Sequence, residues 1–339
     1  MALILYTAVN AVVPVVLLIF LGYVLKVKGF FSKEFLRIGN KLVFNVCLPC
    51  MLFINVYSID SFSSISWDIV IYGVVMLVVI FILGLGAAVF TTKVPERRGV
   101  ILQCTFRGNI AIIGLSLASA LGGEKAMAVS AIVSSFTVPV NNILAVLSLS
   151  MFTNDSTSGK VNVKQVLVNI AKNPLIIGVG AGLFCVGIRE IQRAVFGEVV
   201  FALSSQMKFL YTAVNNLKSV ATPFALLVLG GQFEFSAVKG IRKEITVGTL
   251  CRVVLAPLLG LGCAVILSNM GVLRCGIDEY PALIALFGSP VAVSSAVMAT
   301  SMGADDQLAT QLVVWTSTFS IITIFTEVCL LMNAGLLAV

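Results

Sequence analysis

Long apolar runs separated by short polar connectors set the rhythm of this chain. A membrane-crossing helix needs about 20 mostly apolar residues, at 1.5 Å rise each, to traverse about 30 Å of hydrocarbon. Ten segments meet that requirement, at roughly 3–25, 36–57, 69–91, 99–121, 126–151, 166–188, 209–232, 244–268, 281–301 and 307–331. Segments 4 and 9 are the least apolar. The stretch 189–208 carries Arg189, Glu190, Arg193 and Glu198 and reads as an interfacial helix or a long loop. The strongly polar connector is Phe-Thr-Asn-Asp-Ser-Thr-Ser-Gly-Lys from Phe152. It divides the chain into 1–152, a loop at 153–163 and 164–339, with five segments in each part.

The two parts carry the same landmarks in the same order. Pro14 and Gly22 in segment 1 match Pro174 and Gly182 in segment 6, at an offset of 160. Pro49 in segment 2 matches Pro223 in segment 7. Leu83-Gly-Leu-Gly-Ala-Ala-Val89 in segment 3 matches Leu259-Gly-Leu-Gly-Cys-Ala-Val265 in segment 8, at 176. Gly108 and Gly123 match Gly288 and Gly303, both at 180. An odd number of helices per copy forces the second copy upside down in the membrane. Inverted repeats of this kind mark secondary transporters, whose substrate sits near the midplane.

Composition narrows the class. The chain has 339 residues, 59% of them hydrophobic and 11% charged, and its mean hydropathy is +1.08. A soluble domain of this length cannot hide that much apolar surface, so the lipid bilayer is its solvent. The net charge of +7 does not indicate nucleic acid, because the basic residues sit singly between apolar runs with no basic stripe among aromatics. They report orientation instead. The connectors after segments 1, 3, 5 and 7 hold fourteen Lys and Arg, from Lys26 to Lys243, and the opposite side holds five. Both termini are therefore expected outside, and the 153–163 loop in the cytoplasm. The apolar run from Ala2 to Leu25 precedes its first basic residue, Lys26, so it reads as a first membrane helix and not as a signal peptide. Cys47 and Cys50 form a CxxC inside an apolar segment, where cysteine acts as a small hydrophobe.

The candidate chemistry lies at the two least apolar segments. Segment 4 reads Phe106-Arg107-Gly108-Asn109-Ile-Ala-Ile-Ile-Gly114-Leu-Ser116, and segment 9 reads Phe287-Gly288-Ser289-Pro290-Val-Ala-Val-Ser294. Gly and Pro at mid-segment interrupt helical hydrogen bonding. Paired interruptions point to broken helices that cross, with freed backbone groups lining a cavity. Half-helix N-termini there favour an anion. Arg107 offers a planar fork to a carboxylate; the other reading is a side chain that snorkels to the inner end of its segment. Asn109 and Ser116 share a helix face. Segment 5 carries a polar stripe of Ser134, Thr137, Asn141 and Ser148, and segment 10 one of Thr316, Ser320, Thr323 and Glu327; such stripes line pathways or bind helices together. Asn45, one turn before Pro49, is a further cavity candidate, and Arg252 and Glu327 read as structural charges. The candidate substrate-binding set is thus Asn45, Arg107, Gly108, Asn109, Ser116, Asn141, Ser289, Pro290 and Ser294. No P-loop, no histidine and no paired intramembrane acids occur. Neither a cofactor nor a metal site is expected, nor enzyme activity, and a sodium/proton antiporter is disfavoured.

Several stretches resemble the auxin efflux carrier family of permeases, in its bacterial branch. They are Asn173-Pro174-Leu-Ile-Ile-Gly, Ala221-Thr-Pro223-Phe-Ala-Leu-Leu-Val-Leu-Gly230, and Arg107-Gly-Asn109-Ile-Ala-Ile-Ile-Gly114-Leu-Ser116-Leu. The last is similar to an Asn-x-x-x-x-Gly-x-Pro-Leu pattern, with Ser116 in place of the proline. The resemblance implies an all-α polytopic cell-membrane protein. Its ten transmembrane helices would form two inverted five-helix repeats, with broken crossing helices 4 and 9. It also implies a small organic anion such as a mono- or dicarboxylate as substrate, with Asn109 and its neighbours at the site. A coupling proton or sodium ion and a homodimer are both compatible with it. The alternatives are a sodium symporter of the bile-acid-transporter type, which sodium-dependent uptake would reveal, and a polytopic receptor, which has no need of an inverted repeat.

Overall fold

The computed structural model describes residues 2–58, 67–153, 168 and 172–337. Among them every regular element is a helix. Apart from the short turns Leu203–Gln206 and Phe235–Gly240, they begin in chain order with α1 (Ala2–Val27), α2 (Lys33–Tyr57), α3 (Trp67–Thr91) and α4 (Pro95–Phe106). The helical run Leu115–Thr153 follows, preceded by a π turn at Ile110–Gly114. It is interrupted at Gly122 and at Gly123, whose φ of 67° and ψ of −154° suit only glycine. It therefore comprises α5 (115–121) and α6 (Lys125–Phe152). Then come α7 (Pro174–Phe196), α8 (Lys208–Gln232), α9 (Arg242–Asn269), α10 (Glu279–Phe287), α11 (Ser294–Ser301) and α12 (Asp306–Asn333). Seven of these, α2, α3, α6, α7, α8, α9 and α12, are each long and apolar enough to cross a membrane. Thr153 apart, most of the expected 153–163 loop lies outside the described residues.

Local chemistry explains several boundaries. In α2 a π turn at Val43–Cys47 precedes Pro49, which has no N–H to give the carbonyl of Asn45. In α9 a π turn at Cys251–Leu255 precedes Pro257 in the same way. Helix α7 starts later than its hydropathy suggested and runs on to Phe196, through the stretch read as an interfacial helix or loop. Asn173 caps it, its side chain accepting from the Leu175 N–H at 2.9 Å, and Pro174 takes the first position. The polar residues at its far end are paired: Arg193 with Glu190, and Arg189 with the carbonyl and ring of Tyr57.

The broken pieces form the centre. Tyr280–Phe287 of α10 and Gly99–Phe106 of α4 are buried on every side, α10 as an almost wholly apolar helix and α4 with Gln103 and Thr105 among its buried residues. The long helices surround them and keep outward apolar stripes such as Ile71, Val75, Val78 and Ile82 of α3, the face expected of a helix solvated by lipid. Glycines permit the closest approaches. Gly22 of α1 rests on the backbone of Leu227 in α8, and Gly182 of α7 rests on Phe53 and Val56 of α2. Gly84 of α3 faces Thr105 of α4, and Gly260 of α9 faces the Phe287 ring of α10. Gly303, which ends α11, shares the positive φ of Gly123, which ends α5 (73° and 67°).

Candidate functional site

Helix α4 stops at Phe106 because Arg107 turns extended, at φ −88° and ψ 91°. Helix α10 stops at Phe287, and the chain stays non-helical until α11. The two interruptions meet as a short antiparallel bridge between Gly108 and Val291. The Asn109 N–H donates to the Pro290 carbonyl at 2.8 Å, and the Ala292 N–H donates to the Arg107 carbonyl at 3.1 Å. Pro290 serves here purely as an acceptor, so its missing N–H costs nothing. The Val291 N–H donates to Thr316 Oγ1 at 3.2 Å, which in turn donates to the Leu312 carbonyl of α12 at 2.7 Å. The backbone groups released by the breaks are thus satisfied within the protein, as hydrocarbon surroundings demand. Gly108 is required by space: a Cβ there would lie 2.5 Å from Arg252 Nη2, 2.7 Å from Ser289 Oγ and 2.8 Å from the Leu286 carbonyl.

The carbonyl ends of both half-helices converge on Arg252 of α9, which is completely buried. Its Nε donates to the Ser289 carbonyl at 2.8 Å. Nη1 donates to Phe106 at 3.1 Å and Thr105 at 3.5 Å, and Nη2 to Phe287 at 2.8 Å and Leu286 at 3.0 Å.

The amino ends of the other two half-helices border a cavity of about 50 Å³. Its walls include Met51 and Asn55 of α2, Arg107–Ile110, Asn141 and Asn142 of α6, Thr222 of α8, and Ala292–Ser294. On a scale of about 10–15 Å³ per water, it has room for a few waters or one carboxylate group. Arg107 is buried at 4% exposure and lines this cavity. Its Nη2 donates to Asn142 Oδ1 at 2.7 Å and Ser294 Oγ at 2.9 Å, and Nη1 contacts Met298 Sδ. With its amide oxygen turned to the guanidinium, Gln103 accepts from Nη1 at 2.8 Å. Two amide atoms at the cavity have no partner: Asn109 Nδ2, a donor, and Asn141 Oδ1, an acceptor. A buried unpaired donor beside a guanidinium, with two helix N-termini at hand, is a setting for a negatively charged oxygen.

The structure brings Arg107, Gly108, Asn109, Asn141 and Ser294 together around this cavity. Pro290 and Ser289 sit at the crossing just behind it; Ser289 Oγ is buried without a partner, and its carbonyl serves Arg252. Asn45 stands apart. It is exposed, and its Nδ2 donates to the Lys41 carbonyl of its own helix at 2.8 Å. The side chain of Ser116 lies outside the described part of the structure. In the polar stripe of α6, Ser134, Thr137 and Ser148 return their hydroxyls to carbonyls of their own helix, and Asn141 alone of the four borders the cavity. Asn55, Asn142 and Thr222 were not predicted. Asn142 follows Asn141 directly, and both line the cavity; nothing in the sequence distinguishes Asn55 from an ordinary helix polar residue. Cys47 is buried and Cys50 half-buried, both as free thiols. Among the described residues no cluster of metal-ligating side chains occurs.

Comparison with known proteins agrees with this architecture. Residues 7–326 match the family described as membrane transport protein, that of the auxin efflux carriers. An uncharacterized transporter of Methanocaldococcus jannaschii is 24% identical over 320 residues, covering 93% of this chain and 96% of its own length. An uncharacterized transporter of Methanothermobacter thermautotrophicus is 22% identical over 327 residues, covering 93% and 95%. With the match spanning nearly the whole chain and both broken segments, the chain belongs to the auxin efflux carrier family of membrane transport proteins.

Proposed function

We propose that the protein is a cell-membrane permease that carries a small organic anion, such as a mono- or dicarboxylate, by alternating access. The observation that carries this reading is the Arg107 guanidinium and the unpartnered Asn109 Nδ2 lining one cavity, at the amino ends of the helical runs that lead into α5 and α11. A carboxylate offers acceptor oxygens and a negative charge: the Asn109 amide has the unpartnered donor, and Arg107, whose Nη atoms serve Asn142, Ser294 and Gln103, sets the positive charge beside it. The cavity lies between elements of both halves, α2, the Arg107–Ile110 segment and α6 from the first and α8 with Ala292–Ser294 from the second, where relative movement of the halves would give access from one side and then the other.

The reading includes ten membrane crossings in two inverted repeats, 1–152 and 164–339, with both termini outside. Supporting it, the first helix of each half packs on the second helix of the other: α1 on α8, and α7 on α2. Landmark glycines do equivalent work in both halves, as Gly22 and Gly182, Gly84 and Gly260, and Gly123 and Gly303 illustrate. The equivalent broken segments pair antiparallel, the relation expected of two copies of opposite orientation.

The test is uptake into proteoliposomes with a panel of labelled mono- and dicarboxylates. Arg107→Ala and Asn109→Ala should each abolish uptake of the carried anion while the protein still elutes as a folded, monodisperse species. Normal uptake by both variants would remove the site assignment.

A further inference from the structure

Arg252 occupies surroundings built for a cation. All three of its side-chain nitrogens donate to main-chain carbonyls, those of Thr105, Phe106, Leu286, Phe287 and Ser289. These carbonyls end α4 and α10, and each helix C-terminus presents roughly half a negative charge. Glu327 of α12 lies against Gly288, beside the same carbonyls, and both its carboxylate oxygens are enclosed without a hydrogen-bond partner. The five converging carbonyls form an all-oxygen donor set, the means by which discontinuous-helix carriers hold a free coupling cation, and the Glu327 carboxylate stands behind it, more than 4 Å from the guanidinium. In this chain the guanidinium, delivered by the π turn Cys251–Leu255, already fills the place. At the offset of 176 that aligns segments 3 and 8, the counterpart of Arg252 is Met76, so the first half supplies no second charge of this kind.

We propose that Arg252 is a tethered replacement for a coupling cation: it permanently occupies the carbonyl site at the helix crossing, so anion binding on the other side of the crossing needs no free alkali cation there. The inference rests on the anion-carrier reading above for its transport arm, and on a folding measurement for an arm independent of that reading. An arginine that merely braces two helix ends makes a different forecast, because no dissolved ion would then make good its loss.

The experiment uses the purified full chain, with choline chloride as the ionic-strength control. Arg252→Ala should unfold at lower temperature and lose uptake by about tenfold or more, as expected from removing a set of charge-assisted hydrogen bonds. Millimolar guanidinium or sodium should restore both, saturably, in this variant and leave the wild type unmoved. Adding Glu327→Gln to Arg252→Ala should weaken the rescue. If Arg252→Ala matches the wild type in choline, or if neither guanidinium nor sodium raises its unfolding temperature above the choline control, the proposal is overturned. Should Arg252→Ala fail to fold, wild-type uptake in choline alone decides: persistence of the full rate supports the tethered cation, and a requirement for sodium or potassium refutes it. If the wild type moves no organic anion, the function reading fails while the unfolding comparison still judges this one.

Discussion

Gly108→Ala is the sharpest perturbation of the helix crossing. The added Cβ would meet Arg252 Nη2 at 2.5 Å, Ser289 Oγ at 2.7 Å and the Leu286 carbonyl at 2.8 Å. Two of these neighbours are fixed, one as backbone and one as a guanidinium held by carbonyls, so the methyl group cannot be accommodated by a side-chain turn. Overpacking of this kind costs about 1–3 kcal/mol. If Nη2 is displaced from Leu286 and Phe287, the loss of hydrogen bonds to a charged group adds about 1.5–3 kcal/mol. The expected penalty is therefore roughly 2.5–6 kcal/mol from a single methyl group. Gly262→Ala on α9 is the matched control, since a Cβ there meets nothing within 4 Å, and alanine in a helix interior is favoured by up to about 1 kcal/mol. Both variants would be compared by thermal unfolding in the same detergent, followed by size-exclusion recovery. Gly108→Ala should unfold well below the wild type and Gly262→Ala at or above it. Equal stability of the two would refute the claim that the crossing is packed too closely for a side chain.

Two further outcomes follow from the same geometry. Asn45→Ala should leave uptake unchanged and stability within about 0.5 kcal/mol, measured in the proteoliposome and unfolding assays, because its amide bonds only to the Lys41 carbonyl. Arg97→Ala should destabilise the protein by about 1–3 kcal/mol. Arg97 joins three elements, α4, the start of α9 and the cap of α12, through Glu244 at 3.0 Å and Asp305 at 2.9 Å. The loss should shrink in high salt, since these groups retain 10–25% exposure.

Much of the architecture was legible because lipid makes helices announce themselves by length and apolarity. The apolar runs mark α2, α3, α6, α8, α9 and α12 closely, and the breaks fall where Gly108, Gly288 and Pro290 disrupt the pattern. Helix α7 was misplaced because hydropathy averages over a window, whereas its start is decided by two residues, the Asn173 cap and Pro174. The site was only partly legible. Arg107 stands out as a charge in an apolar run, but the sequence does not say that Asn142, Ser294 and Gln103 hold it beside the cavity. Arg252 looked like an unremarkable structural charge, because its partners are main-chain carbonyls and carbonyls have no letter in a sequence. Asn45 shows the opposite error: a polar residue near a proline is conspicuous in sequence, yet it faces away from the cavity and spends its amide on its own helix.

The bridge between Gly108 and Val291 rests on hydrogen bonds from main-chain atoms alone. Short of a side chain at Gly108 or a proline at Asn109 or Ala292, replacement of side chains leaves those bonds available. The scaffold of the pocket and the choice of cargo are therefore separable. Neighbouring amides and hydroxyls that line the cavity can be exchanged over evolutionary time without dismantling the frame that presents them.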